Sequence, residues 1–368
     1  MPEVYDERFE DSQIQRRWFP MYRPSCLPAP AADLTTPPLH GGRLRTAAAQ
    51  FGRPLADWLD LSTGINPHGW PVPPLPPEVW ARLPEADDGL EAAAAAYYAA
   101  GGALPLAGSQ AGIQLLPTLR PPGLVGIPEV GYREHAYAWH RAGHRVISLP
   151  DGDPGAWLDT QSAADRLAAL IVINPNNPTG RCWPLATLLD WHARLAAHGG
   201  WLIVDEAFMD VTPEASLLPY LDRPGLVILR SLGKFFGLAG ARVGFLYAEA
   251  ALRESAAHAL GPWSVSGPAR WVARLALADR AWQRAQRHAL PLASARLAAL
   301  LKQAGLTPTG GTALFQWVQT ADAERLHRQL CTHGILTRLF TQPSSLRFGL
   351  PGAAATWTRL EQALATLV

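Results

Sequence analysis

Between residues 120 and 230 the chain alternates short apolar runs with longer stretches able to hold a helix. The runs are residues 124–127, 145–149, 170–173, 202–204 and 226–229. Apart from Arg145 and Ser148 they are apolar at consecutive positions rather than at every second one, so each predicts a strand covered on both faces. Strands of that kind with helix-length gaps predict a buried, mostly parallel sheet. An alanine-rich stretch at 90–100 predicts a helix, introduced by Asp87-Asp88-Gly89 and stopped by Gly101-Gly102. After about residue 250 long Ala/Arg/Leu helical stretches take over, followed by strand-like 314–318 and 345–348, which predicts a smaller α+β unit. The expected class is α/β, organised as a proline-rich, flexible arm (1–38), a segment packing with the small domain (39–75), a large domain (76–255) and a small C-terminal domain (256–368).

Composition narrows the function. At 368 residues with 48% hydrophobic content the chain can build two ordinary cores. A net charge of +1, from 32 basic and 31 acidic residues, creates no long-range field toward nucleic acid or an anionic membrane, so small-molecule chemistry is expected. Cys26, Cys182 and Cys331 form no CxxC pair, which argues against a disulfide framework or zinc knuckle and fits a reducing cytoplasm. The charged start and the lack of any run of about 20 apolar residues predict neither an export signal nor a membrane span.

In an open parallel sheet, ligands sit beyond the carboxyl ends of the strands. Asn174-Pro175-Asn176-Asn177-Pro178-Thr179-Gly180 follows the third run, Asp205-Glu206 the fourth, and Ser231 then Lys234 the fifth. Consecutive strand ends thus bring an amide, a carboxylate and an amine to one rim. An Asn-Pro turn is usually only a turn and an acid after a strand often only a cap, so the signal lies in their order. Lys234 stands out because the only other lysine is Lys302, near a helix end, while every other basic residue is arginine. Arginine keeps its proton; a lysine amine can lose its own and attack a carbonyl. The rim therefore predicts a covalent cofactor site.

From about residue 39 to the C-terminus these motifs resemble the fold-type I pyridoxal-phosphate enzymes, in the class I/II aminotransferase branch that includes histidinol-phosphate aminotransferase. The resemblance implies a pyridoxal-phosphate-dependent transferase-like fold and a homodimer. It implies that Lys234 holds pyridoxal 5'-phosphate covalently and shuttles a proton, that Asp205 pairs with the pyridine nitrogen, that Asn177 donates to the ring's O3′ and that Tyr132 stacks on the ring. Ser109 and Gln110, opening a helix-like stretch, would hold the cofactor phosphate with Ser231 and Arg242. Two positions depart from the pattern: Phe208 stands where many relatives have an O3′-binding tyrosine, and Leu83-Pro84 where they have Tyr-Pro reaching the partner subunit.

Leu39-His40-Gly41-Gly42 and Leu61-Ser62-Thr63-Gly64-Ile65-Asn66-Pro67 are most similar to the threonine-phosphate decarboxylases of cobalamin biosynthesis. That likeness implies a small phosphorylated amino acid as substrate, with His40, the Gly41 backbone and Asn66 binding its phosphate; without it, His40 and Asn66 read equally well as turn-closing residues. Arg347 matches the family's substrate-anion arginine, and Arg338 is a second candidate. An aminotransferase shares almost every motif and is the alternative activity. A non-catalytic regulator of the same fold carries a DNA-binding domain, for which a 38-residue leader is too short. A metal site at His135, His140 and His144 is disfavoured, because only the last two share a helix face and no carboxylate completes the set.

Overall fold

All five apolar runs form strands in the computed structural model, which describes residues 34–149, 154–159 and 165–367. Residues 1–33 of the expected arm lie outside them. In chain order the strands are β1 (Leu59–Leu61), β2 (Leu104–Leu106), β3 (Leu124–Pro128), β4 (Arg145–Leu149), β5 (Leu167–Ile173), β6 (Trp201–Asp205), β7 (Leu226–Ser231), β8 (Gly244–Tyr247), β9 (Gly310–Thr312), β10 (Phe315–Gln319), β11 (Ile335–Thr341) and β12 (Ser344–Gly349).

A seven-stranded sheet runs in the order β2-β8-β7-β6-β5-β3-β4. Strands β3 to β7 are mutually parallel, and β8 alone runs against its neighbours β7 and β2. The sheet is mostly parallel, with helices such as Glu134–Arg141 and Leu185–Ala196 between its strands. Its central residues, including Leu170, Ile203 and Ile228, are fully buried, as strands covered on both faces require. The expected helix at 90–100 spans Leu90–Tyr98. Asp88 Oδ1 accepts the Leu90 N–H at 3.0 Å to start it, and Ala99 in the left-handed region (φ 51°) ends it before the glycine pair.

The second sheet has five strands, β1-β11-β12-β10-β9, with β1 parallel to β11 and the rest antiparallel. The long helix Arg280–Gln303 packs on β10 and reaches the loop after β6, where Arg287 Nε donates to the Asp210 carbonyl at 2.9 Å. Beneath the shared rim a buried ion triad fixes that loop: Arg230 of β7 donates to Glu206 at 2.6 Å and to Asp210 at 2.7 Å, all three without meaningful exposure. A buried arginine between two carboxylates is tolerated only when its charge is matched in this way.

Candidate active site

The register of the parallel strands sets the rim. Ile173 lies beside Asp205 and Asp205 beside Leu229, so the loops leaving β5, β6 and β7 emerge together. Asp205 is buried, with Oδ1 accepting the Ala207 N–H at 3.0 Å and Oδ2 meeting His135 Nε2 at 3.0 Å. In the loop after β5, two of the three asparagines are structural. Asn174 Oδ1 accepts from the Trp183 N–H at 2.8 Å, and Asn176 Nδ2 donates to the Val130 carbonyl at 2.7 Å and to Thr179 Oγ1 at 2.8 Å. The third, Asn177, lines the cavity.

Lys234 follows β7 in a loop braced by the N-terminal segment. Its carbonyl accepts the Asn66 N–H at 2.9 Å, the Phe236 carbonyl accepts the Trp70 N–H at 2.8 Å, and Asn66 Nδ2 donates to the Phe235 carbonyl at 2.9 Å. At Gly237 (φ 66°) a Cβ would stand 2.4 Å from Gly69 Cα, so only glycine lets the two backbones meet. Burial first, then the Arg347 guanidinium and more weakly Arg242, lower the Lys234 amine to about 8 against the pull of Asp205. A lysine near that value holds a useful neutral fraction close to neutral pH.

A cavity of about 100 Å³ is lined by all eight residues expected to hold a cofactor: Ser109, Gln110, Tyr132, Asn177, Asp205, Ser231, Lys234 and Arg242. Two glycines shape one end of it. A Cβ at Gly108 (φ 77°) would stand 2.6 Å from Arg242 Nη2, and one at Gly244 would stand 2.5 Å from the Ser109 backbone nitrogen. Arg242 and the first turn of Ser109–Leu115 therefore approach each other only because side chains are missing there. Tyr132 donates to Gln110 Oε1 at 3.1 Å, and burial, then Glu134 and Asp205, raise its phenol so that it stays neutral. An amine, a buried carboxylate, an amide, an aromatic face and a cradle of N–H, hydroxyl and guanidinium donors fit pyridoxal phosphate. Phe208 is buried, its ring 5.8 Å from Lys234 Nζ, and offers no hydrogen bond.

A larger cavity of about 550 Å³ shares Tyr132, Asn177, Phe208 and Lys234 with the first and adds His40, Gly41, Arg338 and Arg347. Arg347 of β12 is buried and donates to Asn177 Oδ1 and to the Ser62 carbonyl, the latter at 2.7 Å. Burial, then repulsion from Arg338, lowers it to about 10, so it remains a cation at neutral pH. Arg338 of β11 donates to the Leu39 carbonyl, and burial lowers its pKa too. Gly41 packs on the Ser62 carbonyl, which a Cβ would approach to 2.2 Å, and the Gly42 N–H donates to Ser62 Oγ at 2.7 Å.

Asn66 is the exception. It does not line either cavity, and its side chain is fully engaged: Nδ2 donates to Phe235 and to Gln286 Oε1 at 3.0 Å, and Oδ1 accepts the His68 N–H at 2.9 Å. With these side-chain groups partnered it braces the lysine loop, as a turn-closing residue does. Glu134 escaped the sequence reading and His135 enters it only as a metal candidate, although both directly follow Tyr132-Arg133. His135 meets Asp205, and among the described residues no group of three His, Cys, Asp or Glu side chains is placed to hold a metal ion.

The chain is 55% identical over 325 residues to the threonine-phosphate decarboxylase of Pseudomonas aeruginosa, covering 88% of this chain and 96% of that protein. It is 42% identical over 341 residues to the threonine-phosphate decarboxylase of a Sinorhizobium species, covering 91% and 99%. The solved histidinol-phosphate aminotransferase of Sinorhizobium meliloti, in complex with pyridoxal-5'-phosphate, shares the fold at a TM-score of 0.77 and 19% identity, over 91% of this chain and 96% of that one. Residues 56–367 match the family of class I and II aminotransferases, and with its parallel sheet, its rim of strand-end groups and its braced lysine the chain belongs to that family.

Proposed function

We propose that this protein is a pyridoxal-phosphate-dependent lyase that decarboxylates L-threonine O-3-phosphate to (R)-1-amino-2-propanol O-2-phosphate in cobalamin biosynthesis. The observation that carries the reading is the 55% identity to a threonine-phosphate decarboxylase over nearly the full length of both chains. The geometry supports it: His40, Arg338 and Arg347 line a cavity that reaches Lys234, which suits a substrate anionic at both ends.

When bound, pyridoxal phosphate supplies a ring that accepts the electrons of a breaking bond at the substrate's Cα. Asp205, which accepts the Ala207 N–H and meets His135, would pair with the protonated pyridine nitrogen. Asn177 would donate to O3′ while its carbonyl oxygen takes the Arg347 proton donor, so one amide touches both cofactor and substrate arginine. Tyr132 would cover the ring; Ser109, Gln110, Ser231 and Arg242 would hold the phosphate. Only the Cα bond standing perpendicular to the ring plane can break into it. Charges that anchor the substrate by its phosphate leave the Cα–carboxylate bond free to take that position. Lys234, lowered to about 8, would then return a proton to Cα.

Incubation with L-threonine O-3-phosphate should release CO₂. Amino transfer to 2-oxoglutarate without CO₂ would establish the aminotransferase instead. We read the enzyme as a cytoplasmic homodimer. Trp80, Leu83 and Trp263 are large apolar side chains left exposed, which a second copy would cover. Sedimentation at micromolar protein tests this; a monomer would overturn it. No helix among the described residues is long and apolar enough to cross a membrane.

A further inference from the structure

Glu134, beside the site, is a charged group that this mechanism leaves without a task. It opens the helix Glu134–Arg141 and its side chain is only 11% exposed. A carboxylate beside a cavity meant for anions repels its ligand unless its charge is matched, so its presence there calls for a physical reason. Its contacts supply one. Oε1 meets His40 Nε2 at 2.6 Å, and Oε2 accepts from Gln110 Nε2 at 2.6 Å and Gln114 Nε2 at 3.0 Å.

Where Glu134 is a carboxylate it can only accept, and the hydrogen of this contact then sits on His40 Nε2. That leaves Nδ1, which has no partner among the described residues, as the ring nitrogen available to a ligand. The groups facing the ring are Glu134 itself, Tyr132 at 5.5 Å between ring centres, and Arg338 through the adjacent Leu39 carbonyl; Glu129, Arg133 and Arg347 line the same cavity.

We propose that Glu134 is a positioning residue for substrate selection, holding His40 by Nε2 so that a protonated Nδ1 donates to the substrate's phosphate. Charge then alternates along one line: phosphate, imidazolium, carboxylate. The two glutamines moor the far oxygen to the helix Ser109–Leu115, so the substrate-phosphate donor is set relative to the cofactor cradle. The proposal rests on the function above only in expecting a phosphorylated substrate.

The test uses holoenzyme, whose own cofactor fills the cradle, and inorganic phosphate as probe, followed by calorimetry. Glu134→Ala should weaken phosphate binding about tenfold, the worth of one charge-assisted hydrogen bond. His40→Ala should weaken it similarly, and the double variant no further than His40→Ala alone. Losses that add, or wild-type holoenzyme that binds no phosphate, would overturn the proposal. If Glu134→Ala fails to fold, Glu134→Gln keeps an acceptor for the glutamines and enters the same cycle. Nitrogen NMR at a pH where the ring is neutral should show His40 as the Nε2–H tautomer in wild type, and the opposite tautomer would also overturn it. Should no CO₂ form while the cycle holds, the decarboxylase reading fails and the role of Glu134 stands.

Discussion

The two ends of the site are built in opposite ways. The cofactor end comes from successive strands of one parallel sheet, so residues within 60 positions of one another, Asn177, Asp205, Ser231 and Lys234, are delivered by a single regular element. The proposed substrate end is assembled from afar: the 39–42 segment, the start of the helix at Glu134, and β11 and β12 of the other sheet meet only in the folded chain. Chemistry can be inherited with the first end and specificity changed at the second, which is how decarboxylases and aminotransferases share a family.

The largest effect should come from the inherited end. Lys234→Ala should abolish the yellow absorbance of the cofactor-loaded protein and cut turnover by about 10³-fold or more, as loss of both attachment and proton transfer requires. A retained band that borohydride can trap would refute the role. At the assembled end, Arg347→Gln should lower kcat/KM about tenfold to a hundredfold while the colour remains. Loss of colour there would mean the two ends are one unit.

The rate at which apo-protein captures pyridoxal phosphate should track the neutral fraction of Lys234. Below about 8 it should fall about tenfold per pH unit, and above it level off. Arg347→Gln removes a neighbouring positive charge, so the midpoint should move upward; a fixed midpoint would leave burial and Arg242 as the causes. The smallest effect separates Asn66 from the substrate. Asn66→Ala should lower the melting temperature, at a cost of about 1–3 kcal/mol for the lost buried hydrogen bonds. It should weaken phosphorylated and unphosphorylated ligands equally. A selective loss for phosphorylated ones would return Asn66 to the substrate site.

This asymmetry also explains what was legible. The five long strands of the main sheet show as unbroken apolar runs because both of their faces are covered, and strand-end loops then identify Asp205 and Lys234. The three-residue β1, β2 and β9 carry too little pattern to be seen. β11 is half-buried and mixes Thr337 and Arg338 into its run. Ser62 and Asp60 form a local hydrogen-bonded turn, joined by Gly42 from 20 residues away, whose only announcement is short polar residues. The role of Glu134 could not be read at all, since His40 lies 94 residues earlier and no local rule links them.

One pairing has a consequence for how the molecule is made. Leu59 to Leu61 bond to Ile335 to Thr337, so β1 leaves the ribosome long before its partner strand is made. The smaller sheet therefore cannot close on the nascent chain, and its opening strand waits, unpaired, through most of synthesis. Neither half of the gene, expressed separately, should yield a finished module, whereas co-expressed fragments that bring both termini together could still recover one.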